Sequence, residues 1–167
     1  MCIPHYECKS DHRAPDWNRN EKSKWVITFQ EEKQVFLDGF NAHWFQDEII
    51  WSLRAVGNTL EKLGEDHRPR YVPKGKKYTE LVIAKFVEHR ENYWHGYPVN
   101  VLTDSPCSEV FKVWSQTPGI PKRSIMKLNK PREGANKQVI SSQADSLIKI
   151  SRIWADFFPA NTSNQPI

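Results

Sequence analysis

The spacing of apolar positions changes several times along this chain, and each change predicts an element. Lys24-Trp-Val-Ile-Thr28 suits a short strand. Thr28 and Glu31 stand at the spacing of a capping box, which predicts a helix over 29–39 with Val35, Phe36 and Phe40 inward. From 46 to 64 the residues Ile49, Ile50, Leu53, Val56, Leu60 and Leu63 recur at three and four. Asp47 can cap that stretch and Gly64 can end it, so it reads as the strongest helix of the chain.

Residues 78–88 are aliphatic and free of breakers, as a strand requires. A four-residue connection, His89-Arg-Glu-Asn92, leads to a second strand over 93–101, bent at Gly96 and Pro98. This central hairpin (about 78–101) sets Phe86 opposite His95 and Val87 opposite Trp94. Asp104-Ser-Pro opens another helix, with Val110, Phe111, Val113 and Trp114 on its apolar side and Thr117-Pro-Gly119 at its end. A short basic helix over 121–129 turns Ile125 and Leu128 inward. After a linker, Val139, Ile140, Leu147, Ile148, Trp154, Phe157 and Phe158 share one face of a long amphipathic helix over 138–158.

The predicted fold is α+β. A small antiparallel sheet with a central hairpin is packed by several helices, with a helical hairpin and a long C-terminal amphipathic helix. The expected organisation is an irregular N-terminal arm over 1–23, unless something pins it, and an α+β core domain over 24–130. A linker and C-terminal helix over 131–158 and a disordered tail over 159–167 complete it. The C-terminal helix offers its face to the core or to a second copy of the chain.

Composition narrows this picture. At 167 residues the chain suits one domain with a sizeable core, and seven tryptophans predict that the core is aromatic-rich. No apolar run reaches the roughly 18 residues of a membrane span, and the N-terminus lacks a signal-peptide core, so a cytoplasmic location away from the membrane is expected. The net charge is only +4, but it is unevenly placed. Residues 66–77 hold five Lys/Arg against one acid, and residues 105–140 hold seven against two.

Four groups of residues carry candidate chemistry. Cys2, His5, Cys8 and His12 are all zinc-ligand types, and four protein ligands would make a structural zinc site. No other cofactor is expected. His95 is the candidate general base, with Tyr97, Arg90 or Lys85 stabilising charge, and a histidine pair with His89 could cleave RNA without a metal. Trp94 and Tyr97, set beside Gly96 and Pro98, are candidate partner-binding rings. The basic loop, represented by Arg70 and Lys76, mixes cations with Tyr71 and Tyr78 in a way that suits single-stranded nucleic acid.

The stretch from Val110 to Lys130 resembles a helix-turn-helix motif over about twenty residues, with Gly119 at the turn and Ser115 four before it. The likeness departs at Pro118. It implies outward-facing Lys122, Arg123 and Lys127 for phosphate or base contact. Two function classes follow. The first is a small binding or regulatory module, with nucleic acid or another protein as partner, using segments 68–77 and 122–132 and the cluster at 93–98. The second is a small metal-independent nuclease or toxin-like effector using His95. No motif in the chain identifies a reaction.

Overall fold

The computed structural model describes residues 3–130. Cys2, the predicted C-terminal helix and the tail lie outside the described residues. The chain is α+β. In order it forms β1 (His5–Tyr6), β2 (Lys24–Trp25), α1 (Phe29–Asn41), β3 (Phe45–Gln46), β4 (Ile49–Ser52), β5 (Ala55–Val56), β6 (Thr59–Leu60), β7 (Gly64–Asp66), β8 (Thr79–Leu81), β9 (Ile83–Arg90), β10 (Tyr93–Val99) and α2 (Ser108–Gln116). A third helix, α3, runs over 122–130. Among the described residues, no helix is long and apolar enough to cross a membrane.

The main sheet has the order β1-β10-β9-β4-β3, antiparallel except where β1 runs parallel to β10. A second sheet, β2-β7-β8, and the small hairpin β5-β6 complete the strands. Helix α1 starts as its sequence predicts. Thr28 Oγ1 accepts from the Glu31 backbone N–H at 3.2 Å, and Glu31 Oε2 accepts from the Thr28 N–H at 2.8 Å. Its Val35 and Phe36 are buried with Trp25, Ile50, Ala84, Phe86 and Trp94 in one core. A second core joins Trp51, Ile83 and Val99 to Val110, Phe111 and Trp114 of α2 and Ile125 of α3. Ile50 and Trp51 are neighbours on β4 yet bury into different cores, so the main sheet is covered on both faces.

The stretch 46–64 is not a helix. It forms β3 through β7 instead. An amphipathic helix would bury one stripe, but Ile50, Trp51 and Ser52 are all buried because β4 lies between β3 and β9. Consecutive buried residues suit a central strand covered on two faces. The chain reverses at Asp47, with φ 56°, and at Gly57, with φ 58°.

The central hairpin forms over Ile83–Val99 and not over 78–101, because Thr79–Leu81 is a separate strand, β8, paired with β7 in the second sheet, and the hairpin register differs by one residue from that expected. Arg90 pairs with Tyr93 across a two-residue turn, in which Asn92 takes φ 63°. A bulge then leaves His89 unpaired, so Trp94 faces Glu88, His95 faces Val87 and Gly96 faces Phe86. The shorter turn moves the register by two and the bulge returns one. Because side chains alternate, this one-residue difference puts Phe86 on the face opposite to His95. Trp94 and Phe86 enter the α1 core, and His95 stands on the other face with Tyr97 and Lys85.

The N-terminal arm is pinned. The backbone N–H of His5 donates to Asn92 O at 2.9 Å, and that of Glu7 to Trp94 O at 2.7 Å. Glu32 of α1, fully buried, accepts from Tyr6 Oη at 2.5 Å and from Arg13 Nη2 at 2.5 Å. Burial, followed by the adjacent Glu32 carboxylate, pushes the Cys8 thiol well above its ordinary range.

Candidate functional site

Two surfaces carry polar chemistry. The first lies on the side of β9 and β10 opposite α1. The unpaired bulge residue His89 sits beside His95, with ring centroids 5.0 Å apart and their Nδ1 atoms at 3.1 Å. His89 Nε2 meets Glu7 Oε2 at 3.0 Å, and Glu7 Oε1 accepts from Arg90 Nη2 at 3.0 Å. Further along the strand, the ring of His12 stacks on Tyr97 at 5.0 Å, and Lys85 Nζ pairs with Asp104 Oδ2 at 2.6 Å. A cleft of about 350 Å³ opens beside this group, with His12, Lys22, Arg68, Tyr97 and Asp104 in its lining.

The electrostatics of this face favour an uncharged imidazole at neutral pH. Partial burial of His95, then the neighbouring Lys9 and His89, hold its pKa below the ordinary histidine value. Burial lowers His12 in the same direction, against its contact with Ser23 O at 2.8 Å. Burial also raises Tyr97, so its phenol keeps its proton. Asp11 Oδ1 is buried near His12 without a hydrogen-bond partner among the described residues, while Asp11 Oδ2 pairs with Lys22.

The second surface is basic. A cleft of about 690 Å³ includes Arg19, His67, Lys74, Lys76, Lys77 and Tyr78 in its lining. None of the four Lys/Arg in that set forms an ion pair among the described residues. Seven cations elsewhere are matched. Arg13, Lys22, Arg54, Lys62, Arg68, Lys85 and Arg90 each face a carboxylate. Arg68 in particular makes a two-pronged contact with buried Asp66, at 2.9 Å on each arm, which removes it from the free set. On α3, Ile125 is buried while Lys122, Arg123 and Lys127 are exposed and without ion pairs among the described residues.

The structure divides the sequence candidates. Lys76 lies in the basic cleft, and Arg70, six residues earlier and outside its lining, is exposed with its guanidinium over the Tyr71 ring at 5.2 Å. Tyr97 and His95 share a face, but Arg90 is held by Glu7 and lies over Tyr93 at 3.7 Å. Trp94 is buried in the α1 core and presents no ring to a partner. His5, Cys8 and His12 do not converge. His5 stacks on Tyr93, Cys8 sits against Glu32, and His12 stacks on Tyr97. No group of three or more His, Cys, Asp or Glu side chains is placed to hold a metal among the described residues.

Sequence reasoning missed Glu7, His12 as a neighbour of Tyr97, and Arg19 as a neighbour of the basic loop. Each comes from the N-terminal arm, whose path over the sheet has no local signal. Lys74 and Lys77 were visible only as part of the charge run. Comparison of the chain with protein-family models, with curated proteins and with solved structures gave no match.

Proposed function

We propose that the protein binds nucleic acid through its basic loop, with α3 as a second contact. The observation that carries this reading is the 690 Å³ cleft with Arg19, Lys74, Lys76 and Lys77 in its lining, where no carboxylate pairs with the cations among the described residues. Unpaired cations around a concavity hold a positive potential that ion-paired cations cancel. Phosphates entering such a site release counterions, so affinity depends on salt. Tyr78, half-buried in the same lining, supplies a ring for stacking with a base. The α3 cations extend the reading, because Lys122, Arg123 and Lys127 are displayed by a helix anchored through Ile125.

The test is a fluorescence-anisotropy titration of the full chain against labelled single-stranded RNA, single-stranded DNA and duplex DNA at low and moderate salt. Saturable binding that weakens with salt is expected, with at least a tenfold loss in the Lys74→Ala/Lys76→Ala/Lys77→Ala variant. No binding at low salt, or an unchanged affinity in the folded triple variant, overturns the proposal.

A further inference from the structure

The side of β10 opposite α1 holds a chain of three polar groups. Glu7 Oε2 lies 3.0 Å from His89 Nε2, and His89 Nδ1 lies 3.1 Å from His95 Nδ1. A hydrogen bond between two ring nitrogens takes one proton. With the Nε2–H of His89 donated to Glu7, its Nδ1 is the acceptor and the Nδ1–H of His95 is the donor. The lone pair of the uncharged His95 then lies on Nε2. No partner for that atom occurs among the described residues. A bulge, which aims a side chain away from the regular ladder, is what brings His89 to this position.

We infer that His95 is the general base of an RNA-cleaving site, with Glu7 and His89 as its positioning residues and Tyr97 as the proton donor to the leaving group. The substrate class rests on the nucleic-acid reading above. RNA is the form chosen by the chemistry, because its 2′-hydroxyl places a removable proton next to the phosphorus, and DNA lacks that group. His95 Nε2 takes the 2′-hydroxyl proton as the O2′–P bond forms. The P–O5′ bond breaks, and the Tyr97 phenol passes its proton to O5′. The His95 imidazolium then returns a proton to Tyr97 through solvent. The products are a 2′,3′-cyclic phosphate and a free 5′-hydroxyl, and neither an oxidant nor a second reactant is consumed. Tyr97 is two residues from His95 on the same face of β10, and Lys85 and Asp104 stand next to its ring.

The experiment uses the full-length protein, with and without EDTA, with a labelled single-stranded RNA and the same sequence in DNA. Binding is measured in parallel. Wild type is expected to cut RNA only, leaving cyclic-phosphate ends. His95→Ala and His95→Gln should each lose about 100-fold or more in rate, in keeping with removal of a general base, while affinity changes less than twofold. Glu7→Gln should lower the plateau rate and move the acid limb of the pH–rate profile downward, because a carboxylate at the far end of the hydrogen-bonded chain favours the protonated form of His95. A purely structural Glu7 would lower the rate and leave the limb in place. The groups facing His95 are Lys9, Asp11 and His12 from the arm and His89 from β9, and the limb is expected below the ordinary histidine value. RNA that binds and is not cut overturns this inference alone. Binding of DNA without binding of RNA overturns this inference alone, and binding of neither overturns both readings. Cleavage that EDTA abolishes, or that both His95 variants retain, assigns the activity elsewhere and also overturns it.

Discussion

Gly96 lies directly against the ring of Phe86. A Cβ at position 96 would fall 2.1 Å from Phe86 Cδ1 and 2.5 Å from Cε1. The two residues are cross-strand partners, so the ring occupies the space that Gly96 leaves open. This contact ties the hairpin register to the α1 core, because any slip would bring a side chain into that space. It also explains why a glycine interrupts an otherwise strong strand.

Gly96→Ala is therefore expected to destabilise the fold by about 1–3 kcal/mol through overpacking. Urea denaturation followed by tryptophan fluorescence measures it. A midpoint equal to that of wild type would show that Phe86 can move aside freely, and the register argument would fail.

Arg13 and Glu32 form an ion pair whose acid is fully buried and whose base is partly exposed. Arg13→Ala leaves a carboxylate buried without its counter-charge, at a cost of about 3–5 kcal/mol. Adding Glu32→Gln to that variant should recover part of the loss, since the amide oxygen can still accept from Tyr6. A double variant less stable than Arg13→Ala alone would contradict this account. The thermodynamic cycle from denaturation midpoints decides it.

Asp66 sets an acid-dependent part of the stability. Burial would raise its pKa, but hydrogen bonds from the Arg68 side chain and backbone and from Asn100 outweigh burial and hold it below the ordinary 3.8. Above that value the carboxylate is ionised in both folded and unfolded chains, and its full contribution is present. As pH falls below 3.8 the unfolded chain takes the proton first, so the contribution is lost towards the lower folded-state pKa. Wild type should lose stability more steeply than Asp66→Asn between pH 5 and pH 2.5, by roughly the range in which carboxylates titrate. Parallel pH profiles for the two proteins would remove Asp66 from this role.

The basic loop predicts a salt slope as well as an affinity. If Lys74, Lys76 and Lys77 each neutralise one phosphate of a single strand, their joint removal should reduce the slope of log K against log salt by about 2. Titrations across a range of salt concentrations give this slope directly. A weakened variant with an unchanged slope would mean that the lysines shape the loop and do not touch phosphate.

Much of the fold was legible locally. The Thr28–Glu31 box, the Phe36 stripe of α1 and the Val110, Phe111 and Trp114 side of α2 each state their element within a few residues, although α2 starts at Ser108 and not at Asp104, Val113 is exposed, and the run before Arg90 divides between β8 and β9. The stretch 46–64 misled because its apolar residues recur at helical spacing. The turn-forming Gly57-Asn58 pair and the β-branched, aromatic Ile-Ile-Trp run argued for strands, and pairing with β9 decided in their favour. The site was less legible. His95 and Tyr97 stood out by type, but Glu7 and His12 join them only because the arm lies along β10.

The sequence by itself determined the α+β class, the capped helix α1, the central hairpin and the concentration of cations in two segments. These depend on short-range geometry, turn chemistry and composition. Only the tertiary structure decided the register at Gly96, the strand character of 49–52, the burial of Trp94 and the grouping of Glu7, His89 and His95. Those outcomes depend on which surfaces meet, and residues 82 positions apart, such as Glu7 and His89, carry no local signal of their contact.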